Sequence, residues 1–135
     1  MSKQTILYVE DDAFSREIMS ILIDDYPEYD LIMYPDSHDF ESRITTLPDD
    51  LALVMLDIHV APIDGFEMLK LLRRNEKFAE TPVLALTASV MHQEIVTLRS
   101  DGFNGAIAKP IDQDMFNANI TSVINGEQVW SIIGA

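Results

Sequence analysis

The sequence predicts an α/β fold: one parallel five-stranded sheet with five helices on its two faces, in three layers. Three observations carry this. Short apolar runs and helical periodicities alternate five times along the chain. The runs are apolar without interruption, as strands buried on both faces are, and do not alternate with polar residues. The length of 135 residues fits one domain with a real core.

Taken in order, Ile6-Leu7-Tyr8-Val9 reads as the first strand, and Glu10-Asp11-Asp12 follows at once. Phe14, Ile18, Ile21 and Leu22 recur at helical spacing and give the first helix an apolar face, which Pro27 ends. Leu31 to Tyr34 is the second strand. Phe40, Ile44 and Leu47 mark the second helix, with Asp36 or Ser37 as its cap. The third strand, from Leu53 to Leu56, carries Asp57 out of the core at its carboxyl end. Asp64, with Glu67 three residues on, opens the third helix, which runs through Arg74. Val83 to Leu86 is the fourth strand and ends at Thr87. Met91, Ile95 and Leu98 mark the fourth helix, with Gly102 beyond it. Ala106-Ile107-Ala108 is a short fifth strand ending at Lys109-Pro110. Asp112 caps the fifth helix, whose face is Phe116, Ile120, Val123 and Ile124, and Asn125-Gly126 stops it. Residues 1–126 therefore form the domain and residues 127–135 a short tail. The tail, with Val129, Trp130 and Ile133, reads as a flap packed on the domain, with homodimerisation as the alternative.

Composition narrows the chemistry. There is no cysteine, so no disulfide framework, thiol nucleophile or cysteine metal site, which is compatible with a reducing cytoplasm. No apolar run is long enough to span a membrane. A formal net charge of −14 repels nucleic acid backbones and anionic membranes, so a protein or a cation is the expected partner.

In an open parallel α/β sheet, ligands bind at the carboxyl ends of the strands. Those ends carry Glu10, Asp11, Asp57, Thr87 and Lys109. Three carboxylates gathered there repel one another unless a cation neutralises them. A hard oxygen-seeking ion such as Mg²⁺, which shares its shell with water and phosphate oxygens, suits the set. A carboxylate beside such an ion can attack phosphorus and form an acyl phosphate. Thr87 and Lys109 would then hold phosphoryl oxygens. The bland readings are a solvated helix start for Glu10-Asp11-Asp12 and an ordinary strand end for Thr87. His38 and His92 fall on expected helices and read as solvent-facing.

The residues Val9-Glu10-Asp11, Leu56-Asp57, Asp64-Gly65, Leu86-Thr87-Ala88 and Lys109-Pro110 resemble the receiver domain of two-component response regulators, over residues 4 to 125. The resemblance implies a flavodoxin-like sheet in strand order 2-1-3-4-5. It implies Asp57 as the phosphoacceptor, charged by a sensor histidine kinase or a histidine phosphotransfer protein. It implies Mg²⁺ held by Asp11 and Asp57, by Glu10 through water, and by the backbone carbonyl of His59. Thr87 and Lys109 bind the phosphoryl group, Lys109-Pro110 is cis, and Asp12 is a helix cap and not a ligand. Such a domain catalyses its own phosphorylation and, slowly, its dephosphorylation. It passes the signal to a downstream protein through the surface of the fourth helix, fifth strand and fifth helix. The sequence departs from the family in two places. Val60-Ala61-Pro62 sets the proline one position late, and Ala106 stands where the family often has an aromatic switch residue. An interaction module not regulated by phosphorylation is the alternative reading. A haloacid-type hydrolase would need a second aspartate where His59 stands, and a flavodoxin would not place acids after its first strand.

Overall fold

Six strands, all paired in parallel, form one sheet in the order β2-β1-β3-β4-β5-β6. The computed structural model describes residues 4–88 and 92–131. The elements are β1 (Gln4–Val9), α1 (Ala13–Asp24), β2 (Tyr29–Tyr34), α2 (Phe40–Arg43), β3 (Leu53–Asp57), α3 (Gly65–Arg74), β4 (Val83–Thr87), α4 (His92–Asp101), β5 (Gly105–Ala108), α5 (Gln113–Ile124) and β6 (Val129–Ser131). The expected Met91 of the fourth helix, the side chain of His92 and the tail residue Ile133 lie outside the described residues.

Successive strand side chains point to opposite faces, which divides the core in two. Leu7, Val9, Val54, Leu56, Val83 and Ala85 pack with Phe40, Met68, Leu72 and Leu98 of α2, α3 and α4. Ile6, Tyr8, Leu53, Met55, Leu84 and Leu86 pack with Met19, Leu22, Phe116 and Ile120 of α1 and α5. The three layers and the strand order from β2 to β5 are those expected.

Local capping follows the sequence at four helix ends. Asp12 accepts from Ser15 N–H, Asp64 from Glu67 N–H and Asp112 from Asp114 N–H, each at the N-cap. Gly102 closes α4 at φ 104°, where Phe103 N–H donates back to Leu98 O.

Four expectations need correction. The sheet has six strands, not five: Val129–Ser131 of the tail extends it, Trp130 lying opposite Ala106. The outer edge of β5, expected to belong to a partner-binding face, is thereby covered within the chain. The second helix is one turn, Phe40–Arg43, followed by a 3-10 turn at Ile44–Thr46. Neither Asp36 nor Ser37 caps it. Ser37 instead clamps Ile63, donating to its O at 2.6 Å and accepting from its N–H at 2.8 Å. Asp36 accepts from Arg43 at 3.0 Å, and His38 lies in the turn before the helix, exposed beside Asp39. Finally, Phe14 and Ile21 of α1 are not core. They are 67% and 62% exposed, because helical spacing defines a stripe wider than the part of the sheet that α1 covers.

Candidate functional site

Parallel register brings the strand ends together. Val9 lies opposite Leu56, Asp57 opposite Leu86, and Thr87 opposite Ala108. The residues that follow β1 and β5, and those that end β3 and β4, therefore share one rim. Glu10, Asp11, Asp57, Thr87 and Lys109 lie along it, and His59 follows two residues past the end of β3.

Lys109 is the centre of the cluster. Its Nζ lies 2.5 Å from Glu10 Oε1 and 3.1 Å from Asp57 Oδ2. The other Asp57 oxygen, Oδ1, accepts from the His59 backbone N–H at 3.0 Å. One oxygen from each of Glu10, Asp11 and Asp57 lies within 4.8 Å of the others. Glu10 is fully buried and Asp57 nearly so, whereas Asp11 is exposed. Thr87 is buried, and its carbonyl accepts from Lys109 N–H at 2.9 Å, tying the two strand ends together. Asp12 stands apart as the helix cap.

The loop after β3 is pinned by Ile58 O, which accepts from Gly65 N–H, and by Ala61 O, which accepts from Ser37 N–H. Lys109-Pro110 is cis, as expected, and so is Ala61-Pro62, where the proline is displaced.

Burial and charge set the protonation of the pair. Burial pushes Glu10 up to about 7, and neighbouring Asp57 adds to this against the pull of Lys109. Burial also acts upward on Asp57. Hydrogen bonding with Glu10, the His59 N–H and Lys109 outweighs it and leaves Asp57 below the usual range. Lys109 loses hydration by burial but is raised by its two carboxylate partners. A proton entering the site therefore rests on Glu10, and Asp57 stays ionised.

This has a measurable consequence. Between the ordinary glutamate value and about 7 the folded chain binds a proton at Glu10 that the unfolded chain does not. Its contribution is complete below the unfolded value and is lost as pH rises through 7. Asp57 works the other way, but its contribution fails only in acid, outside this window. In EDTA, raising the pH from 5.5 to 8 is expected to cost on the order of 1 kcal/mol of stability through Glu10, a few degrees in melting temperature. Glu10→Gln should flatten that part of the slope. Parallel slopes for the two proteins would refute it.

Sequence reading missed one residue here. Tyr8, on β1, donates its hydroxyl to Glu10 Oε1 at 3.0 Å. The available signal was the strand period of two, which puts residues 8 and 10 on one face. A cleft of about 410 Å³ opens beside Lys109, walled by Phe14, Ile18, Pro110 and Ile111.

An ionised carboxylate flanked by an ammonium and two further acids can hold a small hard cation and present a nucleophile to an electrophile that brings anionic oxygens of its own. Comparison with known proteins identifies the family. Residues 6–121 match the family model of the response regulator receiver domain. The chain is 29% identical over 119 residues to the DNA-binding dual master transcriptional regulator RpaA of Synechocystis, covering 88% of this chain and 48% of that protein. It thus spans about half the length of that regulator. It is 28% identical over 109 residues to the chemotaxis protein CheY-3 of Vibrio cholerae, covering 78% and 79%. Among solved structures, the receiver domain of sensor histidine kinase PA1611 from Pseudomonas aeruginosa superposes with a TM-score of 0.80 at 19% identity. The match covers 93% of this chain and all of that one, whose structure carries a magnesium ion in its active-site cleft. At that identity the likeness speaks for the fold.

Proposed function

The chain belongs to the response regulator receiver domain family, and we propose that it is a phosphorylation-activated switch whose phosphoacceptor is Asp57. The observation that carries this is the placement of an ionised Asp57 between Lys109, at 3.1 Å, and the acidic pair. A phosphohistidine on a sensor kinase or phosphotransfer protein is the donor. A carboxylate oxygen of Asp57 attacks phosphorus, the phosphorus–nitrogen bond breaks, its electron pair returns to the imidazole, and an acyl phosphate forms.

The donor set fits Mg²⁺: three carboxylate oxygens close together, one of them on exposed Asp11. Asp11 and Asp57 would hold the ion directly, Glu10 through water, with the His59 carbonyl completing the protein's share. When bound, the ion neutralises the carboxylates and the phosphoryl oxygens. The chain's own residues do the rest. The His59 N–H fixes one Asp57 oxygen. Lys109 moves from the carboxylates to the phosphoryl group, and the Thr87 hydroxyl donates to it. Ala106 is small, so the response travels through Thr87 and the loop after β4 to α4.

Exposed Phe14, at the cleft beside Lys109, and exposed Ile21, about two turns further along α1, offer an apolar surface suited to a phosphodonor protein. The output surface is α4, β5 and α5, with β6 now forming its strand edge. No described helix is long and apolar enough to cross a membrane. With a net charge of −14, a cytoplasmic role through protein contacts fits this chain better than direct contact with nucleic acid.

With Mg²⁺ and a small phosphoryl donor, the intact mass should rise by one phosphoryl group, and Asp57→Asn should remain unmodified. Equal labelling of the variant would overturn the assignment. An unlabelled wild type would favour an interaction module instead.

A further inference from the structure

We propose that Tyr8 is a positioning residue for the metal site, the fixed side-chain partner that keeps the Glu10 carboxylate aimed at the rim once Lys109 leaves it. The inference rests on the reading of the acidic cluster as a Mg²⁺ site.

The donors to Glu10 fall into two kinds. Oε1 accepts from Lys109 Nζ at 2.5 Å and from the Tyr8 hydroxyl at 3.0 Å. Oε2 accepts from the Asp12 N–H at a longer 3.3 Å. Lys109 is a flexible four-carbon stem, already shared with Asp57 and needed by any anionic group that arrives there. Tyr8 cannot follow it. Its ring is fully buried in the core cluster made by β1, β3, α1 and α5, and its backbone is paired on both sides, to Met33 and to Met55.

Glu10 is itself buried, so a carboxylate that lost Lys109 without another donor would carry a large desolvation penalty or turn away from the rim. Groups of this kind, one shell behind a ligand, set its orientation and its affinity for the ion. Tyrosine suits the place because the ring fills core volume while the hydroxyl reaches the rim.

The test is Tyr8→Phe, which keeps the ring and removes one oxygen. Thermal melts across a Mg²⁺ series at fixed ionic strength give the concentration for half of the full stabilisation, with wild type and Asp11→Asn run alongside. Wild type should respond and Asp11→Asn should not. Tyr8→Phe should need about tenfold more Mg²⁺. A merely structural tyrosine would lower the melting temperature equally at every Mg²⁺ concentration and leave the midpoint unmoved, which would overturn the proposal. The double variant Tyr8→Phe/Glu10→Gln should match Glu10→Gln alone in its Mg²⁺ midpoint, since the phenol acts through that carboxylate. A further loss in the double variant would also overturn it. If wild type itself shows no Mg²⁺ response, the metal-site reading fails, a result distinct from an unmoved midpoint.

Discussion

Lys109→Met is expected to destabilise the metal-free protein by about 2–3 kcal/mol at pH 8, near 10 °C in melting temperature for a domain of this size. Lys109 stands between two buried carboxylates, 2.5 Å from Glu10 and 3.1 Å from Asp57. Removing the cation leaves like charges facing each other with little water to screen them. The cost lies below that of a fully buried pair because the Lys109 side chain keeps 21% of its exposure. The loss should shrink toward pH 6, where Glu10, already raised to about 7 in the native protein, takes up a proton and removes the repulsion. Millimolar Mg²⁺ should restore part of it by supplying positive charge to the same oxygens. Melts in EDTA and in Mg²⁺ at three pH values decide the matter. A loss that does not vary with pH would mean that the lysine stabilises through its stem packing and not through its charge.

Gly105→Ala is expected to expel β6 while leaving the other strands in place. A Cβ at residue 105 would sit 2.1 Å from the carbonyl oxygen of Val129 and 3.0 Å from its carbonyl carbon. These are backbone atoms that cannot turn aside without breaking the β5–β6 ladder. The third contact, Leu84 Cδ2 at 2.8 Å, is a side-chain end that can move. The β6 strand has three residues, and Val129 and Trp130 are only partly buried, each packed at the margin of one core cluster. Trp130, the chain's single tryptophan, lies under the Arg99 guanidinium, 4.7 Å from the ring centroid. Its emission should shift to longer wavelength and its quenching by acrylamide should rise toward that of a free side chain. Lost burial and cation–π contact should cost on the order of 2 kcal/mol. Unchanged Trp130 emission in Gly105→Ala would show that the edge yields and β6 stays.

Most of the fold was legible because the signals that define it are local. Uninterrupted apolar runs mark strands buried on both faces, and the turns carry their own chemistry in Asp12, Asp64, Asp112 and Gly102. The reading failed where a local pattern needed a distant neighbour to give it meaning. Phe14 and Ile21 have the right spacing for a core face, but whether the sheet extends beneath them is not a property of α1. Ser37 looks like a helix cap, yet a backbone segment 26 residues away claims its hydroxyl. The strand β6 is too short for any period to show. It exists because Gly105 leaves room for a backbone to close on β5.

The alternation of strands and helices, the rim on which they end and the identity of the groups gathered there follow from the order of residues, because parallel strands all point their carboxyl ends the same way. How those groups share charge depends on the folded chain. Three acids in the sequence suggest repulsion. In the folded chain Lys109, 52 residues beyond Asp57, joins Glu10 to Asp57, and the Tyr8 phenol fixes Glu10 from behind. Proton affinity and ion-pair partners depend on distances of a few ångströms and on burial, and packing sets both between segments far apart in the chain.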